Sequence, residues 1–370
     1  MKIKSFRAVI PKMNFVASPK AFFGSVRQEY SNYKKGDFFK KTSQEAIYIY
    51  QIQKNDEINT GIITTVHVKE FMSNRIKKHE NTLRAKEQQQ IDLMLKRKAV
   101  VKPILVFYNE DKKLTNLIKT CIKTTKRILN IPLDGTDEIH SIWEITDGAK
   151  IEKFISLFKE NVTEGYIADG HHRVAANSLM YKRIKDEKTS ENPYEFLMTA
   201  FFPSTELNIH DFNRIIDASN NISATRFLAA LSKICDIEIL EEPCKPKKKF
   251  DLCLHIDMEW YKLSWKKEVL KKVSKKAVRL DATLLNELVL DEILGIKDVR
   301  ADTRINYIEG VASLDHFILQ CKKNELSFGF LLYPVKIEDL IKVADKKLVM
   351  PPKSTWFEPR MKNGLLVQEL

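Results

Sequence analysis

The stretch YIADGHHR at 166–173 carries the residues of this sequence best suited to binding negative charge. An apolar run stops at an Asp-Gly pair, and two histidines and an arginine follow before a helical pattern begins. The first N–H groups of a helix have no intrahelical partner and favour anions. Gly170 lets a ligand approach the backbone closely, and Arg173 offers a planar fork to phosphate oxygens. Together with His172, they predict a phosphate or nucleotide site.

Asp169 and His171 are the candidate catalytic residues of the same turn. An aspartate at this point can cap the helix, bind a metal ion or orient a histidine. The alternative is a plain capped helix whose histidines bond to neighbouring backbone, and local chemistry leaves both interpretations open.

A second constellation, IKKHENT at 76–82, places Glu80 at the junction of two helical patterns. A carboxylate at such a junction can approach a site on a neighbouring strand. The alternative is an exposed, solvated helix face.

The closing MPPKSTWFEP at 350–359 cannot form a helix interior because of its prolines. Its aromatic residues predict a segment that packs against the protein, and we expect it to return to the first domain. Three of its residues are candidate phosphate donors: Lys353, Ser354 and Thr355. A purely structural strap is the alternative.

Alternating and helical apolar patterns predict the elements that position these residues. The predicted strands are 47–52, 62–68, 104–108, 141–145, 166–168 and 196–202, and the predicted helices are 69–80, 82–98, 114–129, 151–162 and 172–184. The N-terminal half is therefore predicted to be mixed α/β.

The pattern changes after about residue 215. FDLCLHID and EWYKLSW predict a strand pair, and DATLLNELVLDEILGI predicts a helix ended by Gly295. We expect domains at 1–215 and 216–335, followed by a C-terminal tail at 336–370 that packs on the first domain.

Length and composition limit the class of protein. The 370 residues are 44% hydrophobic and 30% charged, with a formal net charge of +13. No apolar run reaches the roughly 18 residues of a membrane span, so we expect a cytoplasmic protein. The five scattered cysteines form no metal-binding pattern and are expected to be reduced thiols, and the sequence indicates no set of metal-ligating residues. The positive charge suits an anionic ligand, nucleic acid or a solvated surface.

Four motifs give the sequence a family resemblance: ADGHHR, IKKHENT, ILGIKDVRADTRINYIEG (293–310) and MPPKSTWFEPRMKNGLL (350–366). They resemble a bacterial family catalogued as domain of unknown function number 1015. Around the Asp-Gly-His-His-Arg motif, that family is similar to the archaeal free-serine kinase and to the ParB/sulfiredoxin superfamily. The resemblance implies a ParB/sulfiredoxin-like mixed-sheet α/β (α+β) core that holds nucleotide phosphates, and it implies a general-base role for Glu80. This chain departs from the family at 16–26, where VASPKAFFGSV replaces a Pro-Tyr-Asp segment.

Three functions remain open. The first is nucleotide-dependent phosphoryl transfer to a small hydroxyl metabolite, with free L-serine as the leading acceptor, ATP or ADP as donor and Mg²⁺ as the usual accompanying ion. The second is a phosphatase that acts on phosphoserine or a similar ester. The third is a ParB-like nucleotide switch or nucleic-acid binder, although no recognition helix accompanies the basic charge and we expect no specific nucleic acid or membrane partner.

Overall fold

The structure is a computed structural model that describes residues 1–186, 192–219, 222–272 and 278–370. Its contacts divide the chain into one unit of Met1–Asn208 with Pro359–Leu370, and a second unit of Ile209–Glu358. The boundaries differ from those expected at 215 and 335. Residues 336–358 belong to the second unit, where Asp339 pairs with Lys249 at 2.6 Å and the apolar side of a helix is buried.

The first unit consists of a mixed sheet with helices and small accessory strand pairs. Its strands are β1 Ile3–Lys4, β2 Val9–Pro11, β3 Phe39–Lys41, β4 Ile47–Lys54, β5 Glu57–His67, β6 Ile76–Lys77, β7 Ala99–Val100, β8 Ile104–Tyr108, β9 Arg127–Pro132, β10 Glu138–Ile145, β11 Gly165–Asp169, β12 Phe196–Pro203 and, at the end of the chain, β21 Gln368–Glu369. The helices are α1 Pro19–Lys35, α2 Lys69–Met72, α3 Arg84–Arg97, α4 Lys112–Thr124, α5 Gly148–Asn161 and α6 His171–Asp186.

In the described part of this unit, nine strands form one sheet in the order β6-β11-β8-β12-β5-β4-β10-β9, with β1 on β5. The pairs β6–β11 and β8–β12 are parallel, and the other neighbours are antiparallel. The α/β prediction is confirmed. The predicted strands formed because their apolar runs are buried, as in β8, where all five residues are buried.

The predicted helix at 69–80 is wrong. Helix α2 ends at Met72, and β6 follows, paired with β11 through Gly165 opposite Ile76. The apolar residues of this segment have helical spacing, but pairing with β11 at the edge of the sheet stabilises the segment more than a continued helix would. Similarly, the helix predicted to reach 129 ends at Thr124, since β9 pairs with β10 from Arg127.

The pairing of β6 with β11 determines what lies beside the Asp-Gly turn. Because the two strands are parallel, the segments that follow them leave the sheet at the same end. The residues after Lys77 therefore emerge next to Asp169. Helix α3 follows β6, and helix α6 follows β11. The two helices pack on each other through a buried cluster that includes Ile91, Met94, Ala176 and Met180.

The second unit is built on a six-stranded antiparallel sheet within the described residues, in the order β15-β17-β16-β19-β14-β18. The six strands of this sheet are β14 Phe212–Asp217, β15 Cys235–Leu240, β16 Asp251–Ile256, β17 Glu259–Trp265, β18 Ile305–Glu309 and β19 Ser327–Leu332. The unit also contains β20 Trp356–Glu358, and β13 Asn208–His210 lies at the unit boundary. Its helices are α7 Ala224–Leu231, α8 Lys267–Lys272, α9 Asp281–Leu284, α10 Leu314–Cys321 and α11 Ile337–Asp345.

The predicted strand pair β16–β17 is present, and the predicted helix at 281–296 begins as α9 and continues as a π-helical segment, Leu285–Asp291. Gly295 follows it with a φ of +67°. Of the helices in the described part of the chain, none combines the length and apolarity that crossing a membrane requires.

Candidate functional site

The Asp-Gly turn has the predicted strand, glycine and helix sequence. Strand β11 ends at Asp169, Gly170 has a φ of +110°, and α6 begins at His171. The first intrahelical bond, from Val174 N to Gly170 O, is 3.0 Å long. The amides of residues 171–173 thus form the N-terminal turn, where the helix dipole favours an anion.

Replacing Gly170 by alanine is expected to destabilise the protein by about 1–3 kcal/mol, because the backbone conformation there disfavours side chains. A Cβ would also lie 2.9 Å from Arg173 Nη2 and 2.9 Å from Ile104 Cδ1. Urea unfolding of the full chain measures the effect. Gly148→Ala is the control, since a Cβ there meets no described atom within 4 Å; an equal effect at both positions would contradict the explanation.

An ion cluster behind the turn holds Asp169. Its Oδ2 accepts from Lys102 Nζ at 2.7 Å and from Arg173 Nη2 at 3.1 Å. Burial acts to raise the pKa of Asp169, but the two cations outweigh it and hold that pKa far below its usual range. Asp169 is therefore a carboxylate at all ordinary pH values.

Arg173, the residue expected to bind phosphate, is hydrogen-bonded within the protein, and its phosphate-binding role stays a prediction. Its Nη1 donates to Lys102 O at 2.7 Å and to Pro103 O at 2.6 Å, while Nη2 is bonded to Asp169. The guanidinium therefore fastens α6 and the Asp-Gly turn to the segment before β8.

Lys102 is the site residue that sequence reasoning missed. It follows the buried run Ala99–Val101 and precedes Pro103, so a lysine interrupting apolar residues was the available signal. Its contact with Asp169 arises because β11 pairs with β8, with Asp169 opposite Leu105. Burial lowers the pKa of Lys102, and Asp169 opposes this shift.

Glu80 lies beside the start of α6, as the parallel pairing of β6 and β11 requires. Its Oε2 is 3.8 Å from His171 Nδ1, which is longer than a hydrogen bond but close enough to tighten when a substrate binds. The carboxylate is 36% exposed, whereas His171 is buried. Glu80 is thus the accessible member of the pair.

The imidazoles around Glu80 are uncharged at neutral pH. Burial lowers the pKa of His171 to about 4 and that of His79 well below its usual value. The two rings meet edge to face, with centroids 4.6 Å apart. A neutral imidazole can donate one hydrogen bond and accept another, and this pair adds no positive charge to the site.

His172 connects the same two segments in a second way. Its Nε2 accepts a hydrogen bond of 3.2 Å from Leu83 N. Since Nε2 is the acceptor, the ring proton is on Nδ1 when His172 is neutral. The histidine therefore holds the segment that follows Glu80, rather than presenting Nε2–H to a phosphate.

Two further arginines add positive charge around the ion cluster. Arg360 lowers the pKa values of Asp169 and Lys102, and Arg27 lowers the pKa of Arg173. Both are exposed side chains of the first unit. The surroundings of the turn are therefore cationic beyond what Asp169 neutralises.

The three tail candidates lie in the second unit. Lys353 has a φ of +54° and places Nζ 4.8 Å from the centre of the Phe212 ring. Ser354 is buried, and its Oγ donates to Pro351 O at 2.7 Å. Thr355 is partly buried. The described contacts of Lys353 and Ser354 are therefore within that unit, and their phosphate-binding role stays a prediction.

The turn does not fit a protein-bound magnesium ion. Among the described residues, no group of three or more His, Cys, Asp or Glu side chains could hold a metal ion. Asp169, the carboxylate expected to serve, already has Lys102 and Arg173 on one oxygen. Any magnesium at this site would have to be held by the nucleotide phosphates themselves.

The mixed sheet and its strand–glycine–helix turn define an α/β protein with a cationic turn at the edge of the sheet. The chain belongs to the family described as "Protein of unknown function (DUF1015)", whose model matches residues 6–284. The resemblance found in the motifs is confirmed. Comparison with curated protein sequences gives no match.

Several solved structures are similar in outline. A free serine kinase mutant in complex with AMP is 13% identical, with 82% of this chain and 92% of that chain covered and a TM-score of 0.37. SbnI with a C-terminal truncation, from Staphylococcus aureus, is 11% identical over 81% and 85%, with a TM-score of 0.42. A conserved hypothetical protein from Pyrococcus furiosus is 13% identical over 81% and 93%, with a TM-score of 0.37.

Proposed function

We propose that the chain transfers a phosphoryl group from ATP or ADP to the hydroxyl of a small metabolite, with free L-serine as the leading acceptor. The observation that carries the proposal is the convergence of Glu80 with the N-terminal turn of α6. Those two segments lie about 90 residues apart in the sequence, yet His171 faces Glu80 and His172 accepts from Leu83 N. An exposed carboxylate beside an anion-binding turn is what transfer to a hydroxyl requires.

In this proposal Glu80 takes the proton from the acceptor hydroxyl. Phosphoryl transfer depends mainly on positioning and charge neutralisation, so a carboxylate that orients and deprotonates the nucleophile contributes directly to the rate. His171, buried and neutral, is a positioning residue that restricts the carboxylate. It acts through Glu80 and not on the substrate.

The amides of residues 171–173 hold the donor phosphates. Their direction is fixed by α6, and α6 is fixed by Arg173 through Lys102 O, Pro103 O and Asp169. Asp169 is in this proposal an anchor of the turn rather than a group that touches substrate. Arg27 and Arg360 supply the long-range positive potential that attracts a nucleotide.

The choice of serine as acceptor is supported by the Asp-Gly-His-His-Arg motif, which resembles that of the archaeal free-serine kinase. In the competing reaction phosphoserine or a similar ester is the donor and water is the acceptor, which would make the protein a phosphatase. The same amides and the same carboxylate serve both reactions, so the acceptor has to be determined by experiment.

The test is a product assay with the full chain, magnesium, ATP or ADP, and L-serine, followed by phosphorus NMR. Phosphoserine should accumulate, and the signal should require both serine and nucleotide. L-threonine is the matched acceptor control, because it differs from serine by one methyl group next to the reacting hydroxyl.

Two other results have defined meanings. Hydrolysis of added phosphoserine without its synthesis would replace the kinase by a phosphatase. Calorimetric binding of nucleotide with neither reaction would leave a nucleotide-binding switch and would overturn the catalytic proposal.

A further inference from the structure

The second unit contains a buried arginine that forms no ion pair with the described residues. Arg214 lies on β14, between β18 and β19, and its side chain is 0% exposed. Among the residues that the structure describes, no carboxylate or backbone carbonyl accepts a hydrogen bond from its Nε, Nη1 or Nη2, and its polar neighbour is the side chain of Tyr307. Burial lowers the pKa of Arg214, but a guanidinium remains protonated in proteins.

Two carboxylates near this part of the sheet serve other groups. Asp302 accepts from Arg304 at 2.7 Å, and Asp217 accepts from the hydroxyl of Ser219 at 2.8 Å. The group that most offsets the effect of burial on the Arg214 pKa is Tyr307, and no described carboxylate is prominent beside it.

Tyr307 compensates the charge only in part. Its ring centre lies 5.7 Å from Arg214 Cζ, within the range of a cation–π contact. Its hydroxyl donates to Val299 O at 3.0 Å, so only the lone pairs of that oxygen can face the guanidinium. A ring face does not replace the hydrogen bonds that a guanidinium makes in water, and buried charges in native proteins are paired.

A second cation lies over the same face of β14. Side chains two residues apart on a strand point to the same side, so Phe212 and Arg214 share a face. Lys353 Nζ lies 4.8 Å from the centre of the Phe212 ring. Lys353 reaches this place with a left-handed backbone, and such strain in a residue with a side chain concentrates at ligand sites.

We propose that Arg214 is the centre of an anion site in the second unit, which binds the phosphate or carboxylate group of a small molecule, with Lys353 as a second cation. A planar guanidinium matches both oxoanions through two parallel hydrogen bonds. The site does not depend on the proposed phosphoryl transfer.

The experiment is thermal unfolding of the full chain with increasing inorganic phosphate or, separately, acetate, at constant ionic strength adjusted with sodium chloride. Wild type should show a saturable rise in Tm with at least one of the two ions, and the more effective ion identifies the group that the site prefers. Arg214→Met should weaken the apparent affinity of this response at least about tenfold, since it keeps the volume but removes every donor.

Arg226→Met is the matched control, because Arg226 is an exposed arginine on α7 of the same unit. It should respond as wild type does, including any contribution from anion binding to the first unit. Equal responses of Arg214→Met and Arg226→Met, or no saturable response in wild type, would overturn the proposal.

The stability of Arg214→Met without added anion gives a second readout. Removal of an uncompensated buried charge should leave the Tm unchanged or raise it, whereas an arginine that supports the fold would lower it. Should Arg214→Met fail to fold, Arg214→Lys keeps the charge and loses the fork. It should still weaken phosphate or acetate binding severalfold, and an unchanged affinity would contradict the site.

Discussion

Glu80→Gln is expected to lower the rate of phosphoryl transfer by about two to four orders of magnitude, the range typical of a lost general base. Glutamine keeps the size of the side chain and its hydrogen-bonding capacity, but it cannot accept the proton of the acceptor hydroxyl. Nucleotide affinity should remain nearly unchanged, because the phosphates are held by the amides of α6 and not by Glu80.

The measurement combines turnover, followed by phosphorus NMR or a coupled assay, with calorimetric titration of ATP and ADP. Glu160→Gln is the control, since Glu160 is an exposed glutamate on α5 of the same unit. A loss of nucleotide affinity equal to the loss of turnover would assign Glu80 to nucleotide binding. A change in thermal stability alone would make it structural.

The position of Glu80 beside His171 shows how far local sequence reasoning reaches. The residue types drew attention to both segments, because a carboxylate, two histidines and a glycine turn can bind or transfer a phosphoryl group, although each also has structural uses. Their proximity depends on β6, a two-residue strand that the local pattern assigns to a helix. The parallel pairing of β6 with β11 brings the segments that follow these two strands to the same end of the sheet. That pairing joins residues far apart in the sequence, so a local pattern cannot show it.

The roles of individual side chains were harder to predict than their location. Arg173 had the right chemistry for phosphate, yet carbonyl oxygens of Lys102 and Pro103 occupy its Nη1. A guanidinium satisfies whichever acceptors the fold brings near it, and residues 70 positions away are not visible in a local motif. The buried Arg214 was missed for a related reason, since its strand, FNRIID, mixes polar and apolar residues, and nothing local marks the arginine as the one without an ion-pair partner.

The strands themselves were predictable because burial determined them. The apolar residues of β4, and those of β5 from Ile62 onward, are buried in the middle of the sheet, and the turn between the two strands uses Asn55 with a φ of +53°. Such a turn favours asparagine. Short edge strands such as β6 lack this signal, because two residues cannot show a period.

Asp169→Asn is expected to destabilise the first unit by about 2–3 kcal/mol at pH 7. Breaking a buried ion pair by removing one partner costs about 3–5 kcal/mol. We expect the smaller loss of about 2–3 kcal/mol here because the Asp169 side chain is 32% exposed, and solvent weakens its ion pairs. The variant leaves Lys102 and Arg173 facing each other without a carboxylate between them. Urea unfolding at pH 7 measures the loss, and exposed Asp137→Asn should change stability by less than about 0.5 kcal/mol.

The pH dependence of the stability difference between wild type and Asp169→Asn separates the effect of the lost charge from the effect of the changed side-chain shape. The pKa of Asp169 is depressed in the folded protein, so its carboxylate contributes full stability above the unfolded pKa of about 3.9 and loses it as the pH falls below that value. The gap between wild type and Asp169→Asn should therefore narrow by about 1 kcal/mol between pH 7 and pH 3. A gap that stays constant would show that the amide disturbs packing rather than charge, and the ion cluster would then not be what holds the turn.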